Sequence, residues 1–238
     1  MSSAMTGLKA VTPAILDPFL RKTSSAQYKK KGDPIMIETL KEYWLRIWKE
    51  PRFAIRELLD ITTPAITIFL VALFGITMLV ERSITRNSLD TIAGGALFFI
   101  VLVIGPVAGA LIWIMTCLFT FGGSRLFGGL ATFKETMIGV TWGTVPYISK
   151  WVLLFPMLLI FRGELFTQAT PVMDQSFFLS LLHLIFLLLD LTMTVLSLII
   201  LSKIIGEIND FSAWKGFFSV ILIPGVLFLL LLVRVILF

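Results

Sequence analysis

Apolar residues fall into five long blocks between residue 61 and the end of the chain. A helix rises about 1.5 Å per residue, so about 20 residues cross a hydrocarbon core about 30 Å thick. Each block reaches this length, and the links between the blocks are polar and rich in glycine. The pattern predicts an all-α polytopic membrane protein with a bundle of five transmembrane helices. The blocks are Ile61–Val80, Gly95–Phe121, Met137–Phe161, Phe177–Leu201 and Gly216–Phe238.

Residues 36–60 have a different pattern, in which apolar residues recur at helical spacing beside basic ones. Pro51 fits the first turn of a second helix, where its missing N–H costs nothing. Tryptophan and basic residues directly before a span are typical of an amphipathic helix in the membrane interface. Four residues are the predicted interfacial anchors: Trp44, Trp48, Arg52 and Arg56. The alternative is a cytosolic helix that packs on the links between the spans, and both descriptions can hold together.

Residues 1–35 are rich in Ser, Thr and Lys and lack a sustained period. Such a segment has little apolar surface to bury, so we expect a mobile cytoplasmic N-terminal arm. The predicted organisation is therefore this arm, the amphipathic helices of residues 36–60 and a five-helix domain over residues 61–238.

Composition and the distribution of charge predict how the chain is oriented in the membrane. Hydrophobic residues make up 57% of the chain and charged residues 15%, against about 25% charged residues in soluble domains. Residues 1–60 hold 11 of the 20 Lys and Arg residues. Because basic residues accumulate on the cytoplasmic side, we expect a cell-membrane protein with its N-terminus in the cytoplasm and its C-terminus outside. An anionic membrane is a sufficient partner for the basic residues, so we expect no nucleic acid.

Two charged residues lie inside the apolar blocks. Lys150 and Asp190 are each 13 residues into their block and hence near the bilayer midplane. A charge at a helix centre costs about 2.5–3.5 kcal/mol, so the two should pair inside the bundle. The pair is either a structural lock between two helices or part of a proton or substrate path. The blocks contain no second acidic residue, which favours the lock. Further polar residues at helical spacing form a predicted stripe beside the pair: His183, Thr194, Ser197 and Tyr147.

Small residues four apart let helices approach closely in lipid. The chain has two such pairs, Gly105 with Gly109 and Gly139 with Gly143. We expect both pairs to pack helices within the chain, although a seam between two copies, and so a homo-oligomer, is also possible.

Enzyme motifs are absent from the sequence. It contains no His-Glu-x-x-His, no Gly-x-Ser-x-Gly, no phosphate-binding lysine loop and no Cys–His cluster. A single histidine cannot build a multi-histidine metal site. We therefore expect no catalytic activity, no metal and no cofactor.

Several segments together resemble the Yip (Ypt-interacting protein) domain family of five-span membrane proteins, in particular its bacterial branch. The similarity covers roughly residues 40–238. The segments that carry it are WLRIWKEPRFAIRELLD at 44–60, FGGSRLFGG at 121–129, FKET at 133–136, WGTVPYI at 142–148 and KIIGEINDFSAWKGF at 203–217.

The resemblance implies a five-helix domain without known catalysis, with its N-terminus in the cytoplasm. Eukaryotic members are linked to small GTPases through Asp-Leu-Tyr-Gly-Pro-type motifs, and this chain has no such motif. Some bacterial relatives act beside ABC-type exporters. We therefore expect a non-enzymatic accessory or assembly factor whose partners are membrane lipids and another membrane complex, plausibly an ABC-type exporter. The alternative is a transporter or channel subunit that uses the Lys150 and Asp190 site.

Overall fold

The computed structural model describes residues 36–237, so the predicted N-terminal arm lies outside the described residues. Within this range all regular structure is helical, and five helices are long and apolar enough to cross a membrane. The predicted fold class, with helices preceding five spans, is confirmed. The helices are α1 (Met36–Lys49), α2 (Pro51–Ile61), α3 (Pro64–Thr85), α4 (Gly94–Leu126), α5 (Phe133–Phe166), α6 (Phe177–Ile208) and α7 (Ala213–Leu237).

Several helices run past the ends of their apolar blocks. Helix α3 continues beyond Val80 to Thr85, and α5 begins four residues before Met137. At the start of α5 the hydroxyl of Thr132 accepts from the N–H of Glu135 (3.2 Å), and the Glu135 carboxylate accepts from the N–H of Thr132 (2.7 Å). This reciprocal cap sets the helix end whatever the local hydropathy. At the start of α5, a cap rather than apolarity therefore decides where the helix begins.

Helix α5 is interrupted in the middle of the bundle. Its first segment ends at Gly143, a short turn spans Val145–Ile148, and helix resumes at Trp151. Pro146 explains the break, because proline lacks the N–H that an unbroken helix needs. In a membrane, irregular backbone is tolerated where protein surrounds it. The break places Lys150 directly before the second half of the helix.

Glycines set the closest helix crossings. A Cβ at Gly75 of α3 would overlap the carbonyl oxygen of Gly105, and one at Gly109 would overlap the Cα of Gly75. The predicted small-residue pair of α4 thus faces a third glycine, one that the sequence analysis did not single out. Close contact between backbones gives the van der Waals packing that holds helices together in lipid.

The second glycine pair lies against α6. A Cβ at Gly139 would lie 3.1 Å from the side chain of Ile208, and one at Gly143 would overlap the side chain of Leu201. Both predicted glycine pairs are therefore occupied by helices of the same chain. Helix α7 is also held closely, because a Cβ at Gly216 would overlap the carbonyl oxygen of Ser202.

The helix bundle has a near end and a far end, each defined by its residues. The near end contains Arg56 and Glu207, which form an ion pair between α2 and α6. The far end contains the links at residues 86–93 and 162–176, where the carboxylate of Asp90 accepts from the N–H of Gln168 (2.9 Å).

Residues of α1 and α2 are tied together at the near end. The hydroxyl of Tyr43 donates to Glu57 (2.6 Å), and the guanidinium of Arg46 donates to both oxygens of the same carboxylate (2.6 and 2.9 Å). Burial acts to raise the pKa of Glu57, but the hydrogen bonds from Tyr43 and Arg46 outweigh it, and the pKa lies below its ordinary value. Tyr43 and Ile47 are fully buried, so α1 packs on protein on one face.

The four predicted interfacial anchors lie on this part of the chain. Trp44 and Trp48 are half-buried. Arg56 pairs with Glu207, and Nε of Arg52 lies 3.9 Å from the same carboxylate. Both arginine side chains are about half exposed, so they can contact protein and lipid headgroups together. Anchoring in the interface stays a prediction.

Candidate functional site: a charged cluster between three helices

Lys150 lies in the interior of the bundle with 1% of its surface exposed. Its Nζ is 2.9 Å from Oδ1 and 3.1 Å from Oδ2 of Asp190, which comes from the middle of α6. The ammonium thus contacts both oxygens of one carboxylate. The two intramembrane charges that stand out in the sequence are therefore adjacent in the fold.

A second carboxylate, from α3, contacts the same ammonium. Oε1 of Glu81 lies 2.8 Å from Nζ of Lys150. The hydroxyl of Tyr147 donates to Oε2 of Glu81 (2.5 Å), and the Tyr147 ring centre lies 4.7 Å from the Lys150 ammonium. Lys150, Asp190, Glu81 and Tyr147 are called the charged cluster below. It joins α3, α5 and α6.

Glu81 was missed at the sequence level because the first apolar block ends at Val80. The premise that no second acidic residue accompanies the pair is therefore wrong. The signal was present in the sequence, because Glu81 directly follows the apolar run and no helix-ending residue separates the two. What the sequence could not supply is the position of α3 beside α5.

In the charged cluster, the groups that can carry a negative charge outnumber the positive one. It contains one ammonium and two carboxyl groups, and the side chains of Glu81 and Asp190 are only 21% and 31% exposed. Like charges close together disfavour ionisation of both, and burial disfavours the charged form of each. Lys150 can balance one carboxylate, so the second needs another source of positive charge.

A cleft of about 580 Å³ leads along the far-end half of α3 to the charged cluster. Glu81 and Tyr147 lie at its inner part, and the exposed side chains of Arg82 and Arg86 line it towards the far end. Ala108 and Ile112 of α4 form another wall. The charged cluster is therefore open on one side to a cleft that has polar groups along it.

The remaining members of the predicted polar stripe do not join the charged cluster. The hydroxyl of Thr194 donates to the backbone oxygen of Asp190 (3.0 Å), and the hydroxyl of Ser197 donates to that of Thr194 (2.7 Å). The ring of His183 packs edge-on against Phe161, with 5.3 Å between centroids. Hydrogen bonds to the helix's own backbone satisfy these hydroxyls, as is common in transmembrane helices.

Indole groups support the helices around the charged cluster. Nε1 of Trp151, the residue after Lys150, donates to the hydroxyl of Thr77 in α3 (2.8 Å). Nε1 of Trp113 in α4 donates to the hydroxyl of Thr141 in α5 (3.1 Å). Buried indole N–H groups need such partners. These contacts fix α5 against α3 and α4 on either side of the break.

Among residues 36–237, no group of three or more His, Cys, Asp or Glu side chains could hold a metal ion.

Comparison with known proteins places the chain in a family. No curated protein and no solved structure matches it significantly. The model of the Yip1 domain matches residues 41–235, which include α3–α6, nearly all of α7 and the whole charged cluster. The chain therefore belongs to the Yip1 domain family of multi-pass membrane proteins.

Proposed function

We propose that this protein is a non-enzymatic accessory factor that binds another membrane protein through α6 and α7. The observation that carries the proposal is the exposure of α7: every residue from Pro224 to Leu232 is exposed, although α7 is tightly joined to α6 at Gly216. On α6, the most apolar 18-residue stretch is only 6% buried, against 50% in α5.

Lipid can cover apolar side chains, but it covers polar ones poorly. Asp190 is a charged residue that is partly exposed on α6. The proposal requires a transmembrane helix of a partner that covers Asp190 and the free surface of α7. The occupant we propose is a helix of a membrane complex, with an ABC-type exporter as the expected class because of the family resemblance.

Photo-crosslinking in cells tests this proposal. A photoreactive residue at Leu227 or Leu231, both 45% exposed or more, should give adducts with the same membrane protein, identified by mass spectrometry. The matched control is Ile68 on α3, which is 70% exposed and should give no such adduct. Adducts between two copies of this chain, or with lipid alone, would contradict the accessory function.

A transporter or channel subunit is the second candidate. The presence of Glu81 beside Lys150 and Asp190, together with the cleft that leads to them, is the observation in its favour. This candidate requires that the purified protein alone moves an ion or solute across proteoliposomes. Loss of that activity in Asp190→Asn, with unchanged thermal stability, would support it over the accessory function.

We also propose the orientation with the near end in the cytoplasm of a cell-membrane protein, because the basic residues cluster there. Two exposed positions report on it, Thr91 at the far end and Lys215 at the near end. A membrane-impermeant thiol reagent added to intact cells should label Thr91→Cys and not Lys215→Cys. The parent protein is the unlabelled control, because Cys117 is buried. The reverse pattern would overturn the orientation.

A further inference from the structure

The charged cluster has one more carboxyl group than it has cations. Glu81 and Asp190 both contact the ammonium of Lys150 directly, at 2.8 and 2.9 Å. With both ionised, the cluster would carry a net negative charge in the interior of a membrane protein. Such a charge is costly there, and protonation of one carboxylate removes it.

The other charged groups near the cluster do not replace the missing cation. Arg82 and Arg86 line the cleft beside Glu81 and are exposed. On α6, His183 lies two turns from Asp190 and packs against Phe161. The hydroxyl of Tyr147 donates a hydrogen bond to Glu81, which stabilises a negative charge on Glu81 without neutralising it. These groups therefore leave the charge of the cluster unbalanced.

We propose that Glu81, Lys150 and Asp190 form a binding site for a single proton that exchanges with water through the cleft. The proton is shared by the two carboxyl groups, because both contact the same ammonium. The proton enters along the side of α3 that carries Arg82 and Arg86, and it converts one carboxylate to a carboxylic acid. The inference concerns the protonation of the cluster alone, so it holds for either function proposed above.

The cleft gives the proton its path. Proton exchange needs water near the carboxyl groups, and we expect the polar side chains of Arg82, Thr85 and Arg86 to admit water to the cleft. Glu81 lines the cleft, whereas Lys150 is closed off behind it. We therefore expect Glu81 to exchange the proton with water. Asp190 receives a proton through Lys150, whose ammonium donates one proton to Asp190 as it accepts one from Glu81.

Infrared spectroscopy tests the proposal on the full-length protein in lipid nanodiscs. The wild type should show, near neutral pH, the carbonyl stretch of a protonated carboxyl group that shifts in heavy water. Glu81→Gln and Asp190→Asn should each remove this band, because the remaining carboxylate is balanced by Lys150. Lys150→Met should double it, because both carboxyl groups then lack a cation.

Asp60→Asn is the matched control, since Asp60 is an exposed carboxylate outside the cluster and its loss should leave the band unchanged. Thermal stability measured alongside shows whether each variant is folded. The wild-type spectrum decides the question without any variant: the absence of a protonated carboxyl band would overturn the proposal. A band that persists in both Glu81→Gln and Asp190→Asn would overturn it too.

Discussion

Replacing Lys150 by methionine will lower the stability of the folded protein more than any other single change in the charged cluster. The substitution changes the volume of the side chain little and shortens it by one atom, but it removes the cation that Glu81 and Asp190 share. Removing one partner of a buried ion pair costs about 3–5 kcal/mol, because the carboxyl groups that remain lose the ammonium and must take up protons instead. Thermal unfolding in detergent should show a fall on the order of 10 °C for a domain of this size.

The double and triple variants distinguish a pair from a three-helix cluster. With a pair alone, Lys150→Met combined with Asp190→Leu would recover nearly all of the loss. Because Glu81 also contacts the ammonium, we expect this double variant to recover only part of it, and the addition of Glu81→Gln to recover most of the rest. If the losses of Lys150→Met and Asp190→Leu simply add in the double variant, the two residues do not interact.

The second large effect is expected at the crossing of α3 and α4. Gly75→Ala places a methyl group where the carbonyl oxygen of Gly105 already lies, so the two backbones must separate. Overpacking usually costs about 1–3 kcal/mol, and the cost is higher when backbone atoms rather than flexible side chains must move. Gly75→Leu should cost still more, and both variants should show lower thermal stability in detergent.

Gly225→Ala is the matched control for this crossing. Gly225 is also a glycine inside a transmembrane helix, but a Cβ there would meet nothing within 4 Å. Alanine favours the helix over glycine by about 1 kcal/mol, so stability should stay equal or rise. Equal stability of Gly75→Ala and the wild type would show that α3 and α4 are not packed through their glycines.

The candidate site was predictable from the sequence in part. Lys150 and Asp190 stand out because charges are rare within apolar blocks, and their equal depth in adjacent blocks suggests that they meet. Glu81 lies just outside an apolar block, where acidic residues are common and usually face water. Only the continuation of α3 to Thr85, beside the broken part of α5, turns Glu81 into a member of the same cluster.

The packing between helices and the contacts at the near end could also be predicted from the sequence only in part. A Gly-x-x-x-Gly spacing within α4 is visible in the sequence, but Gly75 is one isolated glycine in an apolar helix. At the near end, the apolar period includes Trp44, Ile47 and Trp48, of which Ile47 is fully buried, whereas the buried Tyr43 lies outside the period. Tyr43 has a hydroxyl that donates to Glu57 in the next helix, a contact that the apolar period does not indicate.

The sequence by itself determined the number of spans, their approximate limits, the amphipathic helices before them and the family of the chain. The number and the limits of the spans are local properties, because a membrane selects helices by the length and apolarity of each segment taken alone. The tertiary structure decided which residues meet. Helix crossings depend on the rotation and depth of two segments at once, so the partners of Gly105 and Lys150 are set by packing between helices that are distant in sequence.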